Sequence, residues 1–75
     1  MQVLINTVPK VQEFVSIVSK SNCEVDLQSG KSTFLDAKSL LGIMSCDISK
    51  PLKVEIFGDT KDQELLIENI KKFQN

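Results

Sequence analysis

Cys23-Glu24-Val25-Asp26-Leu27-Gln28 alternates apolar and polar side chains without a break, and Ser29-Gly30 follows it directly. Successive side chains of a strand point to opposite faces. Cys23, Val25 and Leu27 therefore share a buried face, while Glu24, Asp26 and Gln28 lie in water. Gly30 tolerates the positive φ that a tight reversal needs. Lys31–Leu35 then returns as the partner strand and ends near Asp36. The stretch predicts an antiparallel hairpin with one wet face. A sheet of that kind is covered by helices on its other side only, which sets the fold class.

Toward the N-terminus, Val8, Val11, Val15 and Val18 recur at helical spacing, with Phe14 and Ile17 widening the apolar stripe. Thr7 is the expected N-cap, and Pro9 falls in the first turn, where its missing N–H costs nothing. Lys20 suits the C-terminal end of that helix, and Ser21-Asn22 the exit. Met1–Asn6 reads as a half-buried strand through Val3 and Ile5. Toward the C-terminus, Ser39 caps a short helix running to about Ser45. Gly42 inside it weakens the helix by about 1 kcal/mol relative to Ala. After a turn at Asp47–Pro51, Leu52, Val54 and Ile56 alternate with Lys53, Glu55 and Phe57 in another strand, which Gly58-Asp59 ends. Thr60-x-x-Gln63 reads as a capping box opening a final helix. Its inner stripe is Leu66, Ile70 and Phe73, with Ile67 beside it and Glu68→Lys72 paired outside. The order is β-α-β-β-α-β-α. It predicts a single α+β domain over residues 1–75, a four-stranded antiparallel sheet with three helices on one face.

Composition narrows the chemistry. The 75 residues include nine cations, all Lys, and ten carboxylates, for a net charge of −1; there is no His, Arg, Trp or Tyr. Without His there is no imidazole base, phosphohistidine or His-ligated metal, and no Ser/His/Asp or Cys/His set. Without Arg there is no bidentate guanidinium, and the balanced charge gives no footprint for nucleic acid. The longest apolar runs fall far short of the ~20 residues that span a bilayer. The chain is expected to be cytoplasmic, with no membrane insertion and no direct nucleic-acid contact. Cys23 and Cys46 form no CxxC motif and read as reduced thiols in keeping with that compartment.

Other motifs dissolve on inspection. Gly30-Lys31-Ser32-Thr33 copies the end of a P-loop, but Val25 stands where the first glycine belongs and the next segment reads as a strand. Asp59, Asp62 and Glu64 complement a helix start, and Lys71-Lys72 is a solvated helix end. No enzyme constellation, metal site or cofactor is implied.

Lys38-Ser39-Leu40-Leu41-Gly42-Ile43-Met44-Ser45 is different. Four large apolar residues crowd into barely two helical turns, so not all can face inward. With Ile43 pointing in, Leu40, Leu41 and Met44 are expected at least partly outside, as a partner-binding patch containing a flexible Met. The plainer reading places all four in the core.

This serine helix resembles the regulatory-serine helix of HPr, the phosphocarrier of the bacterial sugar phosphotransferase system. The likeness extends to Ser19-Lys20 and to the Val25–Lys31 hairpin, and the order of elements matches the family's open-faced β-sandwich. HPr proteins carry a phosphorylatable His, followed by an Arg and a Pro, at the start of the first helix. Here that stretch is Asn6-Thr7-Val8-Pro9-Lys10, so Thr7, Val8 and Pro9 mark a degenerate phosphohistidine region. The resemblance is to a His-lacking, Crh-like member without phosphocarrier activity. It implies Ser39 as a regulatory phosphorylation site, with Leu40, Leu41, Met44 and Lys20 meeting partners: HPr kinase, a transcriptional regulator, or a transport or metabolic enzyme. The plainer reading of Ser39 is a helix cap alone. The alternative function is a structural or assembly module, a homodimer formed by exchange of the first strand.

Overall fold

The computed structural model describes all 75 residues. Eight segments follow in order: β1 (Gln2–Val3), α1 (Val8–Ser19), β2 (Glu24–Ser29), β3 (Thr33–Asp36), α2 (Leu40–Met44), β4 (Leu52–Phe57), α3 (Thr60–Ile70) and a 3-10 turn at Lys71–Phe73. The four strands form one antiparallel sheet in the order β1-β4-β2-β3. The two-layer α+β architecture expected from the hairpin is the one found.

The hairpin closes through a three-residue loop, because Ser29 pairs with Thr33 and Gly30 takes φ +69°. β3 therefore starts at Thr33, two residues later than the alternation implied. Cross-strand register puts Val25 opposite Ile56 and Leu27 opposite both Val54 and Leu35, all on the helix side. The opposite face carries a row of carboxylates, Glu55, Asp26 and Asp36, and stays open to water. Burial follows the same division: the core holds 15 residues and no polar or charged one.

Regular pairing in β1 covers two residues where the pattern suggested six. Its outer edge is taken up by the far end of the chain. Val3 bridges Gln74, the Leu4 N–H donates to the Phe73 carbonyl at 2.8 Å, and the Asn75 N–H donates to the Gln2 carbonyl at 3.0 Å. Ile5 is nevertheless fully buried.

On α1 the buried stripe is Val11, Phe14 and Val18, and Val8 is exposed. At 100° per residue, Val8 lies about 90° around the helix from the centre of that stripe, so spacing alone overstated its burial. Phe14 meets Phe73 edge-on, ring centroids 5.6 Å apart at 77°. The α3 stripe of Leu66 and Ile70, continued by Phe73, is buried as expected. Its cap is one residue earlier than the Thr60 box: Asp59 caps the helix, accepting from the Lys61 N–H at 2.9 Å. The Gln63 amide donates instead to the Gly58 carbonyl at 2.7 Å. Nor do Glu68 and Lys72 pair. Glu68 sits 3.9 Å from Lys71, and Lys72 reaches across to Glu13 on α1. An i,i+3 neighbour and the adjacent helix both compete with the i,i+4 partner.

Candidate functional site

α2 holds the residues of interest. Ser39 has extended backbone geometry before Leu40, and its Oγ accepts from the Gly42 N–H at 3.1 Å. That cap satisfies one of the amides a helix start leaves unpaired. The preceding turn is itself fixed, because the Lys38 N–H donates to Asp36 Oδ1 at 2.9 Å and the Ser39 N–H to the Asp36 carbonyl at 3.0 Å. Ser39 is half-buried.

Helical geometry places the four large side chains. Ile43 is 0% exposed and anchors the turn in the core. Leu41, two residues back and nearly opposite, is 84% exposed; Leu40 and Met44 flank the anchor at 38% each. The three exposed side chains and the serine hydroxyl therefore surround one short helix, and only Ile43 holds it down.

Gly42 has a role that sequence reasoning missed. A Cβ built there would lie 3.0 Å from Ser39 Oγ and 3.4 Å from Ser39 Cβ. Glycine leaves the space that the serine side chain occupies. A Gly three residues after an N-cap Ser is the signal the sequence offers, and helix propensity alone does not disclose it.

The other sequence-identified positions lie at α1. Thr7 caps the helix, with Oγ1 accepting from the Lys10 N–H at 3.3 Å, and Pro9 falls within its first turn. Val8 is exposed beside them. Lys10 Nζ donates to Asn6 Oδ1 at 3.4 Å. Thr7, Val8 and Pro9 thus form an ordinary capped helix start, whose side chains include no general base. Lys20 lies at the opposite end of α1, where it lines a groove of about 120 Å³ with Ile17, Asp62, Leu65 and Asn69. None of the residues lining that groove comes from α2.

Neither thiol is activated. Burial pushes Cys23 above the usual thiol range, and Asp62 and Asp59 add to the shift against an opposing Lys38. Burial raises Cys46 as well, partly offset by hydrogen bonding. No group of three or more acidic or thiol side chains is arranged to hold a metal ion. No helix is long and apolar enough to cross a membrane.

A family model described as "PTS HPr component phosphorylation site" matches residues 10–75. The match begins one residue past Pro9. Among solved structures, the chain is similar to the crystal structure of HPr-C-His from Thermoanaerobacter tengcongensis, with a TM-score of 0.74. The two share 22% identity over 96% of this chain and 90% of that one, a likeness of fold. No curated protein matches the sequence.

Proposed function

The chain belongs to the HPr family of phosphotransferase-system components, and from that premise we propose that it regulates or links other proteins instead of carrying phosphate. HPr proteins are phosphocarriers and not enzymes, and their partners are proteins. Phosphoryl transfer through the family's histidine needs an imidazole, and this chain contains no His. Thr7 does not replace it, since a phosphothreonine ester lacks the transfer potential of a phosphohistidine. Pro9 is then a helix-start residue with no chemical part in transfer.

The single observation that carries the proposal is Ser39 capping α2 beside an 84%-exposed Leu41. A phosphate on Ser39 would lie at the helix N-terminus, where backbone N–H groups and the positive end of the dipole favour it. It would add roughly −2 charge next to Leu40, Leu41 and Met44 and change which partner surfaces they accept. Ile43 and the sheet beneath need not move. Partner binding through Ser39–Met44, with Ser39 as the switch, follows. Lys20 would meet a partner only from the α1–α3 side.

Intact mass after incubation with ATP and an HPr kinase tests this directly, with Ser39→Ala alongside. One added phosphate, absent in the variant, supports the switch. No addition to a folded protein leaves Ser39 as a cap, and the chain as a binding or assembly module of HPr descent.

A further inference from the structure

One end of the sheet's open face holds a cavity unlike the rest of the surface. The register sets Gln2 on β1 and Gln28 on β2 on either side of Lys53 on β4. Their sequence neighbours Val3, Leu27, Leu52 and Val54 are buried against the helices, so these three side chains stand in one row on the opposite face. The Ser29-Gly30 turn and residues of the Asp47–Pro51 turn complete the walls around about 600 Å³. Ligand cavities usually span about 300–1,000 Å³ and are mostly apolar. This one has the size without the apolar lining: Gly30 and Pro51 aside, every residue that lines it is polar or charged. Lys50 and Lys53 supply two ammonium groups and join neither of the chain's ion pairs, Lys71–Glu68 and Lys72–Glu13. Asp47 is the one carboxylate, and its Oδ1 is already occupied by the Ser49 N–H and hydroxyl. The cavity is therefore locally cationic in a chain of net charge −1.

We propose that this cavity binds a small phosphate monoester that carries hydroxyl groups. Two lysines around one space match the charge of about −2 on a phosphate monoester near neutral pH better than the single charge of a carboxylate. In a chain without Arg, the phosphate is held by point charges and not by a bidentate fork. The cavity is too large for phosphate alone, and its remaining groups suit hydroxyls. The Gln2 and Gln28 carboxamides both donate and accept, and Asp47 Oδ2 accepts. Gln28 commits one amide N–H to the Lys31 carbonyl at 3.3 Å, which orients it at the cavity edge and leaves its oxygen and second N–H for a ligand. A neutral sugar lacks the group that the lysines select, and an apolar ligand finds no surface here to bury. No α2 residue lines the cavity, so the proposal does not rest on the Ser39 reading.

Ribose 5-phosphate serves as the probe, titrated into labelled protein at low salt and followed by amide shifts and calorimetry. Saturable shifts should appear at Gln2, Gln28–Gly30 and Asp47–Lys53, with a dissociation constant on the order of 1 mM or below. Ribose should give none at the same concentration, and inorganic phosphate should bind at least about threefold more weakly. Lys50→Gln combined with Lys53→Gln should weaken binding by at least about tenfold while circular dichroism stays unchanged, because both side chains are exposed. Lys61→Gln, at an exposed lysine on α3, should leave binding as it is. Shifts that never saturate overturn the proposal, as does an equal loss with Lys61→Gln, which would mean diffuse charge attraction. Equal affinity for inorganic phosphate overturns it too, since the hydroxyls would then be unread. So do shifts centred on Ser39–Gly42, which would place the phosphate at the start of α2 instead.

Discussion

Gly42 sits where propensity and packing oppose each other. Replacing it with Ala gains about 1 kcal/mol of intrinsic helix stability. The new Cβ, however, lies 3.0 Å from Ser39 Oγ, so the serine must shift by a few tenths of an ångström or leave its cap. Losing a serine cap costs about 1 kcal/mol. Gly42→Ala should therefore change stability by less than about 1 kcal/mol in urea unfolding, yet slow phosphorylation of Ser39. Unaltered phosphorylation kinetics would show that the space beside Gly42 is not used. Asp47 makes a second prediction at this scale. Its carboxylate accepts from Ser49 Oγ at 2.5 Å and from the Ser49 N–H at 3.0 Å, and these bonds hold it below the usual carboxylate range. A depressed native pKa means the contribution is complete above the unfolded value of about 3.9 and disappears as pH falls through the native value. The Ser49 amide resonance should stay fixed from neutral pH to near 4 and move only below it. Movement above pH 5 or so would contradict the hydrogen bonds.

At the scale of elements, α1 is held by Phe14, fully buried and edge-on to Phe73, together with Val11 and Val18, while Val8 of the same valine stripe is exposed. Phe14→Ala should cost about 3–5 kcal/mol, whereas Phe57→Ala, on the wet face and 50% exposed, should cost under about 1 kcal/mol. Comparable urea midpoints for the two variants would mean the core has been misassigned. These elements differ in how far the sequence discloses them. β2 and β4 are legible because strict alternation needs only a buried face and a wet one, and both strands have them. Ile43-in, Leu41-out is legible for the same reason, since helical rotation is local geometry. β1 is not, because its outer edge is closed by Phe73, Gln74 and Asn75, residues no local window connects to it. Asp59 displaced Thr60 as the α3 cap because both residue types qualify and only the backbone turn after Gly58 chooses between them. Lys20 and Gly42 escaped for a related reason: one is placed by α3 and the other by a side chain three residues away.

Across the whole molecule, one helix layer shields the sheet and leaves exposed apolar side chains in a few separated places. On α2 these cluster around a single buried anchor, which separates folding from binding. Leu40 and Met44 are each 38% exposed, so Asp at both positions meets water and should cost about 1 kcal/mol in all. A 75-residue domain has about 4–11 kcal/mol to lose, so the double variant should remain folded. Ile43→Asp, by contrast, places an unpaired charge in the core and should unfold it. If α2 is the partner surface, the double substitution removes two apolar contacts and adds two charges at its centre. Each loss of 1.4 kcal/mol is tenfold in affinity, so proteins recovered with the wild-type chain should fall to background with the variant. Melting curves run beside the pull-down distinguish the cases. A folded double variant that captures the same partners as wild type would remove α2 from the interface and turn attention to the other exposed apolar positions, such as Leu65 on α3. An unfolded one would show that Leu40 and Met44 support Ile43 from outside, making α2 a part of the core after all.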